Sequence, residues 1–209
     1  NVILDGLDLV SFYALPEDNS IENVLGGIEV SNPGVLGDGS SAYFNNGQWL
    51  GSLLAIDRTD GYWIKVSDEV ELNVEGLLTD PETVYSLHGG ANLISYPFAN
   101  FSPLSETIPE AAQNSIIGII AEGESAYNTE NGWIGGLMDL SGTEGYWFIT
   151  SEDVEFDVLR RQPRILTHSV RREIDLAPKT VRVDDDVYQD GIFLDSYRGR
   201  IHGLAIDVG

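Results

Sequence analysis

The sequence predicts a mainly β protein: two tandem homologous β-rich domains with short helices, then a β-rich C-terminal segment of different composition. Three observations predict this. Gly61-Tyr62-Trp63-Ile64 returns as Gly145-Tyr146-Trp147-Phe148, a constant 84 positions later, and self-similarity at a fixed offset is the signature of a duplicated structural unit. The apolar residues fall in short runs rich in β-branched and aromatic side chains, as strands require. The 23 glycines and the Asn-Gly dipeptides fit frequent tight turns between those runs.

The offset holds without a gap from 39–74 to 123–158, where 15 of 36 aligned positions are identical. The opening strands also correspond, Leu9-Val10-Ser11-Phe12 with Leu93-Ile94-Ser95-Tyr96. These matches place one β repeat at 7–75, a linker at 76–89, a second β repeat at 90–158 and a distinct segment at 159–209. Two copies point to a pair of related domains rather than a solenoid, which usually needs more units.

In the first copy, 7–13 reads as a strand that Pro16 to Asn19 break. Ser20 then stands where its hydroxyl would cap a short helix carrying Ile21, Val24, Leu25 and Ile28, limited by Gly26-Gly27. Asn32-Pro33-Gly34 is a turn signal. Strands follow at 41–44 and 48–50, joined by Asn46-Gly47, where both residues tolerate positive φ. An irregular crossing at 52–60 leads to strands at 62–66 and 70–74. In the second copy, a helix over 106–112 is disturbed by Pro109. The continuous apolar run 116–120 reads as a fully buried strand. Asn131-Gly132 stands one position later than its counterpart, and 146–149 and 154–158 close the unit. A strand at 83–87 falls in the linker. In the last segment, strands are expected at 164–170, 180–183, 192–194 and 201–206. The whole repeat is expected to be sandwich-like, with its aromatic pairs as internal pillars.

A formal charge of −23 sits unevenly on the chain. Residues 1–158 hold 26 acidic side chains against Arg58 and Lys65 alone, whereas 159–209 hold nine basic and eight acidic ones. Such a surface repels nucleic-acid phosphates and anionic lipid, so nucleic acid is excluded as a partner. It favours solubility, including in salty water, where screening shortens the repulsion. No run approaches 18 apolar residues, so membrane insertion by a helix is not expected. Zero cysteines exclude disulfides and thiolate metal sites.

The repeated aromatics are the best-defined candidate ligand site. Tyr43, Trp49 and Tyr62 recur as Tyr127, Trp133 and Tyr146, and such rings either fill cores or stack on sugar rings. In each Tyr-Trp pair of the Gly-Tyr-Trp motif, neighbouring side chains face opposite sides of the sheet, so one ring can be core while the other is available. Asp184, Asp186 and Asp190 make the densest carboxylate cluster, and calcium is the cofactor such oxygens would take, although the spacing is not that of an EF-hand. Asp38-Gly39 and Glu122-Gly123-Glu124 form a second candidate in equivalent loops. His88, His168 and His202 show no metal spacing, and no nucleophile elbow or phosphate loop is present. No catalytic residue is assigned. A pair of carboxylates for glycoside hydrolysis is the weakest alternative, since sequence spacing does not set spatial separation.

At Leu9-Val10-Ser11-Phe12, Gly51-Ser52-Leu53 and Gly61-Tyr62-Trp63-Ile64-Lys65-Val66 the chain resembles repeats in secreted surface proteins of aquatic bacteria and in structural proteins of marine tailed phages. The resemblance covers 7–158 in both copies, with departures at Gly136 and Ile149. It implies a non-catalytic structural or adhesion component, extracellular, on the cell surface or on a virion. Its partners would be copies of itself or neighbouring surface or virion proteins, joined through β surfaces. The alternative is a carbohydrate-binding module taking glycans on exposed Trp or Tyr.

Overall fold

The computed structural model describes residues 1–158 and, within the C-terminal segment, the backbone of four strands. The elements of the first repeat are β1 (Val2–Leu4), β2 (Leu7–Ser11), β3 (Ala14–Leu15), α1 (Ile21–Leu25), a 3-10 turn (Gly26–Ser31), β4 (Gly34–Leu36), β5 (Ser41–Asn45), β6 (Gln48–Gly51), β7 (Gly61–Lys65), β8 (Val70–Leu72) and β9 (Leu77–Leu78). Those of the second are β10 (Val84–Leu87), β11 (Gly90–Ile94), β12 (Ser102–Pro103), α2 (Leu104–Thr107), α3 (Glu110–Gln113), β13 (Ile116–Ile120), β14 (Ser125–Thr129), β15 (Gly132–Gly135), β16 (Asp139–Leu140), β17 (Tyr146–Thr150) and β18 (Val154–Asp157). The protein is mainly β with short helices, and the two repeats are similar sheet units.

Each repeat is built on a five-stranded antiparallel sheet, in the order β2-β7-β4-β5-β6 in the first and β11-β17-β13-β14-β15 in the second. The registers agree: Leu9 pairs with Trp63 and Leu36 with Trp63, as Leu93 pairs with Trp147 and Ile120 with Trp147. Side chains alternate across such a strand, so Val10, Val35, Ala42, Tyr62 and Ile64 share the inner face. The second layer is a helix and a ribbon, not the expected second sheet. Ile21, Val24, Leu25 and Ile28 come from α1 and the 3-10 turn, and Leu4 and Leu72 from the β1–β8 ribbon. Ile21, Val24, Leu25 and Ile28 recur at helical spacing, which is why this short helix is worth forming: it is held by its apolar stripe, not by intrinsic propensity. The second core exchanges aliphatic for aromatic residues, with Tyr85, Phe156 and Phe148 stacked at centroid separations of 6.1 and 6.3 Å.

Several expectations are corrected. Ser20 occupies the N-cap of α1, but its hydroxyl makes no capping bond; its carbonyl accepts from the Asn23 and Val24 amides. Pro109 splits the expected 106–112 helix into α2 and α3, because proline cannot continue a helix whose interior needs its N–H. β13 is not fully buried: Ile117 and Ile120 are exposed, since only one face of this sheet is covered. The segment 76–89 is more than a linker. Its β10 pairs with β18 just as β1 pairs with β8, with Leu87 opposite Val154 and Leu4 opposite Val70. Asn46 (φ 50°) and Gly47 (φ 79°) form the expected hairpin turn with both central residues left-handed. The one-residue shift of Asn131-Gly132 changes the second turn, where Gly132 alone takes positive φ.

The two repeats form one compact unit. They meet about a local two-fold relation that the 84-residue offset makes visible. The Ser11 amide donates to the Thr143 carbonyl at 3.2 Å, and the Ser95 amide donates to the Thr59 carbonyl at 2.9 Å. Val10 bridges Glu144 as Ile94 bridges Asp60. The Ser11 hydroxyl donates to the Glu144 carbonyl at 2.7 Å, and the Ser95 hydroxyl donates to the Arg58 carbonyl. Each repeat thus adds its opening strand to the crossing segment of the other, where backbone groups would otherwise be unpaired. Leu9 and Leu93 are buried in this seam, apart from both cores.

In the separate C-terminal unit, β19 (Thr180–Val183), β20 (Asp186–Gln189), β21 (Ile192–Asp195) and β22 (Arg200–Ile201) pair in sequence order. The expected strands at 180–183 and 192–194 are present. Of the expected strand 201–206 only Ile201 is described, and the expected strand 164–170 lies outside the described residues.

Candidate functional site

The structure divides the six aromatic candidates into three kinds. Tyr62 and Tyr146 are not available to a ligand: their exposures are 1% and 0%. Their hydroxyls are occupied as well. The Asp57 amide donates to the Tyr62 hydroxyl at 2.7 Å, and the Ser141 amide donates to the Tyr146 hydroxyl at 2.6 Å. Each tyrosine therefore pins the irregular crossing before its own strand, at equivalent places in both repeats. Tyr146 also donates to the Glu144 carboxylate at 3.1 Å. Burial pushes both phenols well above their ordinary range, so they remain protonated hydrogen-bonding groups. The motif does place one ring inside and its neighbour outside, but the tyrosine is the inner one and Trp63 and Trp147 the outer, half-buried ones.

Trp49 and Trp133 are half-buried and pack against the cores. The Trp49 indole N–H donates to the Glu29 carboxylate at 3.2 Å, and its ring meets Phe44 edge-on at 5.6 Å. The Trp133 Nε1 is buried with no hydrogen-bond partner among the described residues. Both rings are packed against a core and do not form a free platform.

Tyr43 and Tyr127 are the two that face outward, 53% and 58% exposed. They lie in equivalent cross-strand rows. One row runs Leu7, Lys65, Gly34, Tyr43, Leu50; the other runs Ala91, Ile149, Gly118, Tyr127, Ile134. Gly118 is buried beside the Tyr127 ring, whose Cδ1 would lie 3.3 Å from a Cβ added there. Leu36 and Ile120, also exposed, extend each row toward Trp63 and Trp147. The sequence missed this apolar outer face, because alternation says that two faces exist without saying that both carry apolar residues.

The second acidic candidate is divided between two clefts at the seam. One, of about 750 Å³, includes Asp8, Glu122, Glu124, Asp139 and Glu144. The other, of about 380 Å³, includes Asp38, Asp60, His88 and Asn92. Glu122 accepts from the Leu9 amide at 2.9 Å across the repeats. Among the described residues, no three carboxylates or imidazoles converge as a metal would need. Of the calcium candidates, Asp184 and Asp190 lie outside the described residues; Asp186 opens β20 opposite Val183. His168 and His202 also lie outside them. Among the described residues, no helix is long and apolar enough to cross a membrane.

Burial raises the Asp60 carboxyl above the ordinary aspartate range, with Asp57 and Asp38 adding to it; burial likewise raises Asp8, with Glu122 and Asp5 adding. A carboxyl with a raised folded-state pKa binds protons more tightly in the fold than in the unfolded chain. Ionising it therefore lowers stability as pH rises through the folded value. The expected result is a melting temperature that increases as pH falls from 7 toward the aspartate range, and Asp60→Asn is expected to flatten that slope. Thermal melts of both proteins at stepped pH check this.

A scan of protein-family models, a search of curated proteins and a search of solved structures each return no match to this chain.

Proposed function

We propose that this chain is a non-catalytic structural or attachment component of an extracellular, cell-surface or virion assembly, joined to its neighbours through the outward faces of its two sheets. The observation that carries the reading is the pair of exposed apolar rows around Tyr43 and Tyr127, set at equivalent registers in both repeats. Contiguous apolar surface on a soluble chain marks an interaction site. The resemblance of the repeat pattern to repeats of bacterial surface and phage structural proteins supports the same class. Copies of the chain are the first partners, and salt is needed for them to approach, because like charge opposes contact at low ionic strength.

Sedimentation velocity of the full chain at physiological salt tests this. Concentration-dependent association is expected, and Tyr43→Glu with Tyr127→Glu is expected to abolish it while circular dichroism is unchanged. A wild-type chain that stays monomeric at every concentration contradicts self-assembly. Exposed tyrosines at matching places in both copies also favour the second reading, glycan binding by stacking. Calorimetric titration with oligosaccharides would then give heat that Tyr43→Ala and Tyr127→Ala each remove.

A further inference from the structure

The duplication supplies an internal control for the seam, because the fold builds the same cleft twice. The clefts are not the same chemically. In the larger one stand Asp8, Glu122, Glu124, Asp139 and Glu144, and no basic side chain lines it among the described residues. The corresponding positions of the other repeat are Asn92, Asp38, Ser40, Ala55 and Asp60, so three of five charges are missing there. The larger cleft also has an apolar rim. Phe101 and Met138 line it and are 69% and 63% exposed, while Leu9, Val10 and Leu137 are buried at its base.

We propose that this larger cleft is a docking groove for a protein segment carrying arginine or lysine next to an apolar side chain. Three features commit it to that occupant. Residues 1–158 cannot neutralise the groove: Arg58 spends its guanidinium on the Leu77 and Leu15 carbonyls, and Lys65 is in the outward row of β7. The counter-charge must come from outside residues 1–158, and complementary charge is what selects a partner and speeds its arrival. The carboxylates do not converge on one point among the described residues, so they suit spaced cationic groups better than a single ion. The exposed phenylalanine and methionine suit the aliphatic stem and guanidinium plane of a long basic side chain, a contact that a bare cation or a polyamine would not fully use.

The test uses the full chain and a fluorescein-labelled peptide alternating arginine and leucine, followed by fluorescence anisotropy at physiological salt, where the long-range field is screened. The controls are the same peptide with glutamine for arginine, and calcium or magnesium chloride alone. Glu124→Gln with Asp139→Asn removes charge from the larger cleft at side chains with no hydrogen bond in the fold described here. Asp38→Asn with Asp60→Asn removes charge from the smaller, where an asparagine Oδ1 at 60 can still accept from the Thr59 hydroxyl that bonds Asp60 at 3.2 Å. The expected result is saturable binding of the arginine peptide, weakened at least tenfold by the first pair, less than twofold by the second, and reduced by Phe101→Ser. No saturable binding, equal loss from both pairs, equal binding of the glutamine peptide, or binding of the divalent ion alone that the first pair abolishes would each overturn the proposal. Unchanged circular dichroism of each variant shows that the fold is intact.

Discussion

Replacing Gly145 by valine is expected to be among the most damaging single changes in residues 1–158. A Cβ at that position would lie 2.8 Å from the Val10 carbonyl oxygen and 3.0 Å from Leu9 Cδ1. Its counterpart Gly61 is as tight, with the Ile94 carbonyl oxygen at 2.9 Å, Leu93 Cδ1 at 3.0 Å and the Gly145 Cα at 3.3 Å. The obstacle in each case is backbone from the other repeat, which cannot rotate aside as a side chain can. Overpacking of a well-filled site costs about 1–3 kcal/mol and sometimes more, and two further methyl groups at a backbone contact put these sites at or above the top of that range. The variants are expected to lose the seam hydrogen bonds along with the packing. Urea unfolding followed by tryptophan fluorescence measures the loss. Gly26→Ala, where an added Cβ meets nothing within 4 Å, is the matched control and is expected to be neutral or slightly stabilising.

Tyr146→Ala is the second large effect. The ring is wholly buried, and truncating a large buried aromatic costs about 3–5 kcal/mol. The Ser141 amide would also lose its acceptor in a buried setting, at about 1–3 kcal/mol. Set against a total stability of about 5–15 kcal/mol for a typical domain, the sum is enough to leave much of the chain unfolded. Tyr146→Phe separates the ring from the hydroxyl, since it keeps the ring and removes both the acceptor for the Ser141 amide and the donor to the Glu144 carboxylate. It is expected to cost about 1–3 kcal/mol by the same measure. Tyr62→Phe is expected to behave alike, because the Asp57 amide is held in the same way.

These two pairs of residues also show how far the sequence could be read. Gly61-Tyr62-Trp63 and its copy announce a duplicated β unit, and the identical strand orders follow from that. Asn46-Gly47 names its own turn, and Pro109 names the break between two short helices. Alternation separates Tyr62 from Trp63 but does not say which ring goes inside. That choice is made by the Asp57 amide, five residues away on an irregular segment that periodicity does not describe. The seam was illegible for a different reason. Its closest contacts are made by glycines and carbonyl oxygens, which carry no hydrophobic pattern, and its partners lie far apart in sequence. β10 escaped assignment to the second repeat because it matches β1 at one residue less than the common offset, and an ungapped comparison hides that slip. The two acidic loops were paired correctly as equivalents, yet the fold sets them in separate clefts, so their equivalence is rotational and they share no site.

The two copies fold as one body, each completing the other's backbone hydrogen bonding about the Gly61–Gly145 contact. Residue-resolved native-state hydrogen exchange tests it most directly, through the amides of Ser11 and Ser95. Both donate only across the seam, to Thr143 and Thr59. They are expected to exchange as slowly as the central strand amides of β7 and β17, and both to become fast together in Gly145→Val. If the two amides exchange at the rate of exposed loops while those central strands remain protected, the repeats are independent beads on one chain and the claim is wrong.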